Sequence, residues 1–169
     1  MKRRSALTLI SLTGLASLAG LVMGGCGFKL RGSQNFSFST LAVMPNPGGA
    51  LAVELRRSLG DSVRVLAPDE PLDKAQVVLD ILQEQREKTV VGVSSSGQVR
   101  EFQLRIRVKF RVRTPQGKEL VPDSEILQKR EISFNESAVL AKEFEEVLLY
   151  RDMQTDIVQQ LMRRLASVK

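Results

Sequence analysis

Phe102-Gln103-Leu104-Arg105-Ile106-Arg107-Val108-Lys109-Phe110-Arg111-Val112-Arg113 alternates apolar and polar side chains without a break. Successive side chains of a strand point to opposite faces, so this run puts every apolar residue on one side and every cation on the other. At helical period the same residues would be scattered around all sides. The reading is a half-buried antiparallel strand. Upstream, Val77 to Val93 is also strand-like, the alternating strand itself runs from Val99 to Arg113, and Ser94-Ser95-Ser96-Gly97 joins the two as a hairpin loop. Downstream, Pro115-Gln116-Gly117-Lys118 turns the chain, and Glu125 to Phe134 returns as a further strand.

Outward from this meander, Leu41-Ala42-Val43-Met44 reads as a strand ended by Pro45 and Pro47. Leu51, Leu55 and Leu59 recur at i, i+4, i+8, with Gly60 as the C-cap of a helix. Val63 to Leu66 is a candidate short strand. Lys142 to Ala166 reads as a long helix, with Phe144, Val147, Tyr150, Ile157, Leu161 and Leu165 as an approximate apolar stripe interrupted near Gln154. Glu143, Glu145 and Glu146 stand at its start and Arg163, Arg164 and Lys169 at its end, as the helix macrodipole prefers. The expected fold is α+β: two helices packed on one face of a four-stranded antiparallel or mixed sheet, in a single domain over 41–169. Ser33 to Thr40, polar and punctuated by Phe, reads as a tether.

Five cations from Arg105 to Arg113 share one strand face. Pairing Val93 with Gln98 would set Asp80 against Arg111 and Glu84 against Arg107, which neutralises much of the stripe. The same register sets Arg86 against Arg105 and leaves Gln83, Gln85 and Glu87 facing Val108, Ile106 and Leu104. It therefore predicts a protruding distal hairpin with uncompensated charge at Arg86, Lys88 and Arg100. A solvated sheet face, a protein partner and an anionic lipid headgroup all remain open readings of the stripe.

Composition narrows the chemistry. The 169 residues include no His and a single Cys, Cys26, so the commonest general base is missing and neither an intrachain disulfide nor a Cys-cluster metal site can form. No spacing of carboxylates suggests catalysis; the expectation is a protein that is not an enzyme and needs no cofactor or metal. Aromatics make up 5%, without Trp, which gives single-stranded nucleic acid little to stack on; nucleic acid is not an expected partner.

Lys2-Arg3-Arg4, the apolar run Ala6 to Met23 and then Gly24-Gly25-Cys26 follow the order of a bacterial export signal. The run is near the minimum for a membrane span, which is the competing reading. Its ending, Met23-Gly24-Gly25-Cys26, resembles a lipobox, with Met23 where Leu is usual. Residues 1–25 are thus expected to be a cleaved lipoprotein signal, Cys26 the lipidated N-terminus, and 26–40 the anchor and tether. Loss of Lys2, Arg3 and Arg4 lowers the formal charge from +6 to +3. Multiple acyl chains on Cys26 would hold the protein stably to a membrane, and Gly27 after the cysteine favours the outer membrane.

Cys26-Gly27-Phe28-Lys29-Leu30-Arg31-Gly32 resembles the sequence after the lipidated cysteine in the LptE family of lipopolysaccharide-assembly lipoproteins. Gly97-Gln98 before the alternating strand, Leu140-Ala141-Lys142, Asp152-Met153, Asp156, Gln159-Gln160-Leu161 and Arg163-Arg164-Leu165 extend the likeness along nearly the whole mature chain. The resemblance implies an outer-membrane plug, facing the periplasm and barrel lumen, that seats in the β-barrel LptD, assists its assembly, binds lipopolysaccharide and helps deliver it to the cell surface. It also implies ligand-binding cations near the hairpin tip and before the last helix. Lys142 matches the second position. The tip is Ser94-Ser95-Ser96 and carries no arginine, which leaves Arg86, Lys88 and Arg100 as candidates for the first. The rival classes are a periplasmic-facing lipoprotein scaffolding another envelope complex, and a carboxylate hydrolase.

Overall fold

The alternating strand and its partner form within the bounds read from the sequence. A computed structural model describes residues 34–45, 48–60 and 62–169; the signal segment, Cys26 and the motif after it lie outside the described residues. In chain order the elements are β1 (Thr40–Met44), α1 (Ala50–Leu59), β2 (Arg64–Val65), β3 (Val77–Val93), β4 (Val99–Arg113), β5 (Glu119–Ser133) and α2 (Val139–Ala166), with short 3-10 turns at Leu72–Lys74 and Glu136–Ala138. The sheet has five strands, not four, in the order β2-β1-β3-β4-β5. The extra strand is the two-residue β2, parallel to β1, which is itself parallel to β3. The class is α+β, with a mixed sheet.

β5 begins at Glu119 rather than Glu125. Pro122 stands inside the strand, but β5 pairs only with β4 and is therefore an edge, and Pro122 falls where the register with β4 slips, so its missing N–H costs no ladder bond. The tether also ends early. Phe38 is buried, Phe36 packs beside it, and the Ser37 hydroxyl donates to the Val168 carbonyl at 2.6 Å. The folded unit therefore begins at Gln34, and residues 34–40 belong to it.

The main core lies between the sheet and both helices. Leu41 and Val43 of β1, Leu51 and Leu55 of α1, Leu104, Ile106, Val108, Phe110 and Val112 of β4, and Met153, Ile157 and Leu161 of α2 are all buried in it. The opposite face of β4 carries the cations, as alternation requires.

The register departs from the one expected. Asp80 does pair with Arg111, but a bulge between Ile81 and Gln83 shifts the ladder by one residue, so that Gln85, not Glu84, faces Arg107 and Arg86 faces Ile106. Before the bulge, Asp80 lies on the open face, accepting hydrogen bonds from Arg111 Nε (2.8 Å) and Arg113 Nε (2.7 Å). Burial alone would raise the Asp80 pKa; the hydrogen bonds from Arg113 and Arg111 outweigh it and hold the carboxyl below its ordinary 3.8.

Two outcomes follow in stability measurements. Phe110→Ala should cost about 3–5 kcal/mol as a buried ring is lost, whereas Arg107→Ala, whose ion pair with Glu125 is about one-third exposed at both ends, should cost under about 1 kcal/mol. Comparable losses would mean the strand faces are misassigned. Because the Asp80 pKa is depressed on folding, its contribution is present above the ordinary aspartate value and lost as pH falls through the folded one. Denaturant titrations of wild type and Asp80→Asn should therefore differ by a constant amount above about pH 5, begin to converge near 3.8 and go on converging as pH falls through the lower, folded pKa. A gap that does not narrow at all between about pH 5 and about pH 2 would rule out the carboxylate as its source.

Candidate functional site

The bulge at Leu82 decides which residues meet under the last helix. Beyond it, Glu84, Arg86 and Lys88 lie opposite Val108, Ile106 and Leu104, on the sheet face that carries the helices. Glu84 is brought beside the start of α1: a Cβ added at Gly49 would come within 3.0 Å of its Oε2, where a carboxylate suits a helix N-terminus. The Arg86 guanidinium lies 5.6 Å from the centre of the Tyr150 ring and donates to Gln154 Oε1 at 2.5 Å. Gln154 Nε2 in turn donates to Glu54 Oε2 at 2.6 Å, and Thr155 Oγ1 to Glu54 Oε1 at 2.6 Å, which ties α1 to the middle of α2. Lys88 Nζ sits 4.3 Å from the Phe102 ring centre and 2.6 Å from Glu146 Oε2. The Tyr150 hydroxyl donates to the Glu87 carbonyl at 2.8 Å; burial, then the nearby Glu146 carboxylate, pushes its pKa up.

Arg86 and Lys88 are thus the polar underside of α2 rather than uncompensated charge on a protruding hairpin. Their stems fill space beneath the helix while their charged ends find partners on it. β5 pairs as far as Ser133 with Glu101, so only the hairpin beyond that pair extends past the sheet. That tip exposes Val93, Ser95, Ser96, Gly97 and Gln98, with Arg100 as its cation, which makes it polar rather than strongly basic.

The helix answers this polar floor. In its first half Lys142, Glu146 and Tyr150 turn toward the sheet, and Leu140, Phe144, Val147 and Leu148 are 73%, 73%, 66% and 58% exposed. Phe144 and Val147, expected in the apolar core stripe, are therefore on the outside. At 100° per residue these four fall on one side of the helix, together with Val158 and Met162 further along. Val158 and Met162 are buried in the half that α1 adjoins. α1 has ten residues against 28 in α2, about 15 Å against about 42 Å, so it cannot cover both halves.

Between the first turns of α2 and the far ends of β4 and β5 lies a cavity of about 230 Å³. Phe102 and Phe134, edge to face at 5.3 Å, with Ile132 and Val139, give it an apolar lining. Lys88, Lys142, Glu143 and Glu146 complete its wall. The helix begins three residues before Lys142, so Lys142 stands inside it rather than at its free N–H groups. Its Nζ donates to Ser133 Oγ at 3.0 Å and to Glu145 Oε2 at 2.8 Å.

Of the four candidate cations, Lys88 and Lys142 meet in this cavity. Arg86 is engaged with Tyr150 and Gln154. Arg100 is exposed beside a shallower hollow lined by Asn135 and Ser137, and donates to Gln98 Oε1 at 3.2 Å. The apolar lining was not anticipated. Phe134 directly after a strand, with Phe102 at the start of the alternating run, is the only trace of it in the sequence. Most of the basic stripe on the open face is engaged within the sheet: Arg111 and Arg113 share Asp80, Arg107 pairs with Glu125, and Arg105 Nε donates to Gln103.

Comparison with known proteins places this geometry. Lipoprotein B from Nitrosomonas europaea, whose structure was solved in solution, superposes with a TM-score of 0.72 at 33% identity over 83% of this chain and 91% of that one. The rare lipoprotein B of Shewanella oneidensis shares the fold, with a TM-score of 0.64 at 23% identity over 76% of this chain and 95% of that one. The LPS-assembly lipoprotein LptE of Yersinia enterocolitica is 32% identical over 157 residues, which is 91% of this chain and 74% of that protein. The family model for LptE, lipopolysaccharide-assembly, matches residues 38–165, from the buried Phe38 to the last core leucine of α2. With that match spanning nearly all of the described fold, the chain belongs to the LptE family.

Proposed function

We propose that this protein is a lipid-anchored component of lipopolysaccharide assembly at the outer membrane, acylated on Cys26, seated in the lumen of the β-barrel LptD, and binding lipopolysaccharide on its way to the cell surface. Residues 1–25 are then the cleaved signal and 27–33 the tether. Membership of the LptE family carries this reading. Two surfaces support it. Around β4 the helix-free sheet face carries paired charges that suit a water-filled lumen. The uncovered side of α2 at Leu140, Phe144, Val147 and Leu148 suits a protein wall.

After extraction in mild detergent, a single large β-barrel protein should co-purify, and the intact mass should show loss of residues 1–25 with added acyl mass. An unmodified N-terminus at Met1, or recovery with a different envelope complex, overturns the anchoring and partner assignments respectively.

The charged contribution to ligand binding should be modest, because Lys142 already has an acid partner. Lys142→Glu and Arg100→Glu should each weaken lipopolysaccharide binding about two- to fivefold, the scale of an exposed ion pair, more at low salt than at high, with thermal stability unchanged. Arg86→Glu/Lys88→Glu should lower stability as well, because both side chains hold α2. Unaltered binding in the two single variants would place the headgroup contact elsewhere.

A further inference from the structure

The cavity under the first turns of α2 reads hydrocarbon more than charge. Its lining of Phe102, Ile132, Phe134 and Val139 offers a hydrocarbon chain dispersion contacts and offers water few partners. At about 230 Å³ it falls below the roughly 300–1,000 Å³ of sites that enclose a whole small molecule, so it takes the end of one chain. The rim carries Lys88 and Lys142 together with Glu143 and Glu146, and the two lysines offer contacts to what is attached to that chain. Lys142 Nζ uses two donors, to Ser133 and Glu145, and Lys88 Nζ uses one, to Glu146. An ammonium has three, so both retain donors for acceptor oxygens at the mouth.

We infer that this cavity is an acyl-chain site: it holds the terminal part of one fatty chain of a phosphorylated lipid, whose head lies at Lys88 and Lys142. The inference rests on the proposed binding of lipopolysaccharide and specifies how that ligand is gripped. The chain supplies most of the affinity, because the head must share its cations with Glu145 and Glu146.

The test uses the chain from residue 26 with Cys26→Ser, which leaves off the acyl anchor. Among the described residues the core lies within 38–168, so this chain retains it. Dodecyl phosphate carrying a diazirine at its chain terminus, below its micelle concentration, should on irradiation label peptides containing Phe102, Phe134 or Val139. Val139→Trp, which fills the cavity from the first turn of the helix, should reduce that labelling at least tenfold without shifting the thermal midpoint; Ile132→Phe is a second filling variant should Val139→Trp unfold. Removing the acyl chains from lipopolysaccharide should weaken its binding at least tenfold, more than Lys142→Glu does. Labelling of Phe144 and Leu148 instead, or labelling indifferent to both filled variants, overturns the acyl site. So does equal binding of intact and deacylated lipopolysaccharide, which leaves the lipopolysaccharide reading intact. Labelling of the cavity by dodecyl phosphate with no binding of lipopolysaccharide sustains the acyl site and overturns that reading instead.

Discussion

A one-residue slip between paired strands carries every later side chain to the other face of the sheet, and the bulge at Leu82 applies that slip in the middle of β3. Ahead of it, Asp80 sits on the open face between Arg111 and Arg113, while Leu79 faces the core. Past it, Glu84, Arg86 and Lys88 occupy the face that Leu79 occupied. Without the slip, Gln83, Gln85 and Glu87 would line that face, with no cation to meet Glu146 or lie under Tyr150. The polar floor in turn sets the rotation of α2 in its first half, which turns Lys142, Glu146 and Tyr150 inward and leaves Leu140, Phe144, Val147 and Leu148 outside. The cavity and the uncovered helix side both descend from that single inserted residue.

How much of this was legible follows from the kind of signal each part leaves. β3, β4 and the hairpin were readable to the residue, because long alternation and a Ser-rich loop with Gly97 leave no competing period. α1 was nearly so, with Gly60 at a φ of 52° closing it. The bulge was not, because Leu82 is an ordinary strand residue and neither Gly nor Pro marks the place. The start of β5 was hidden by Pro122, whose tolerance depends on the strand being an edge, a fact of topology and not of local sequence. The α2 stripe misled for the opposite reason: it is real, but its first half and its second half face different surroundings.

The resemblance and the fold rest on different parts of the chain. The most specific motif quoted from the sequence, Cys26 to Gly32, lies outside the described residues and before the 38–165 match to the family model. The match therefore stands on the domain. Lys142, carried over from the resemblance, lies in the cavity wall, but its environment differs from that expected of a phosphate site at a helix start. It is inside the helix and bonded to Glu145, and of the three glutamates around it Glu145 pairs with Lys142 and Glu146 with Lys88.

The two ends of the domain are held by different forces. Toward the chain entry, α1, β1 and the second half of α2 interlock through buried Leu, Ile, Val and Phe, and Phe38 closes that end. Toward the hairpin, α2 is held down by Lys88 to Glu146, Arg86 to Gln154, the Tyr150 hydroxyl and the Phe102–Phe134 ring pair. Polar pairs at a partly wet boundary contribute about 1 kcal/mol or less each, whereas a fully buried Leu or Ile contributes about 1.5–3. Local opening at the hairpin end therefore costs less than at the entry end. A ligand that entered the cavity would replace some of those polar pairs with apolar contacts at the end of the domain least bound to its present shape.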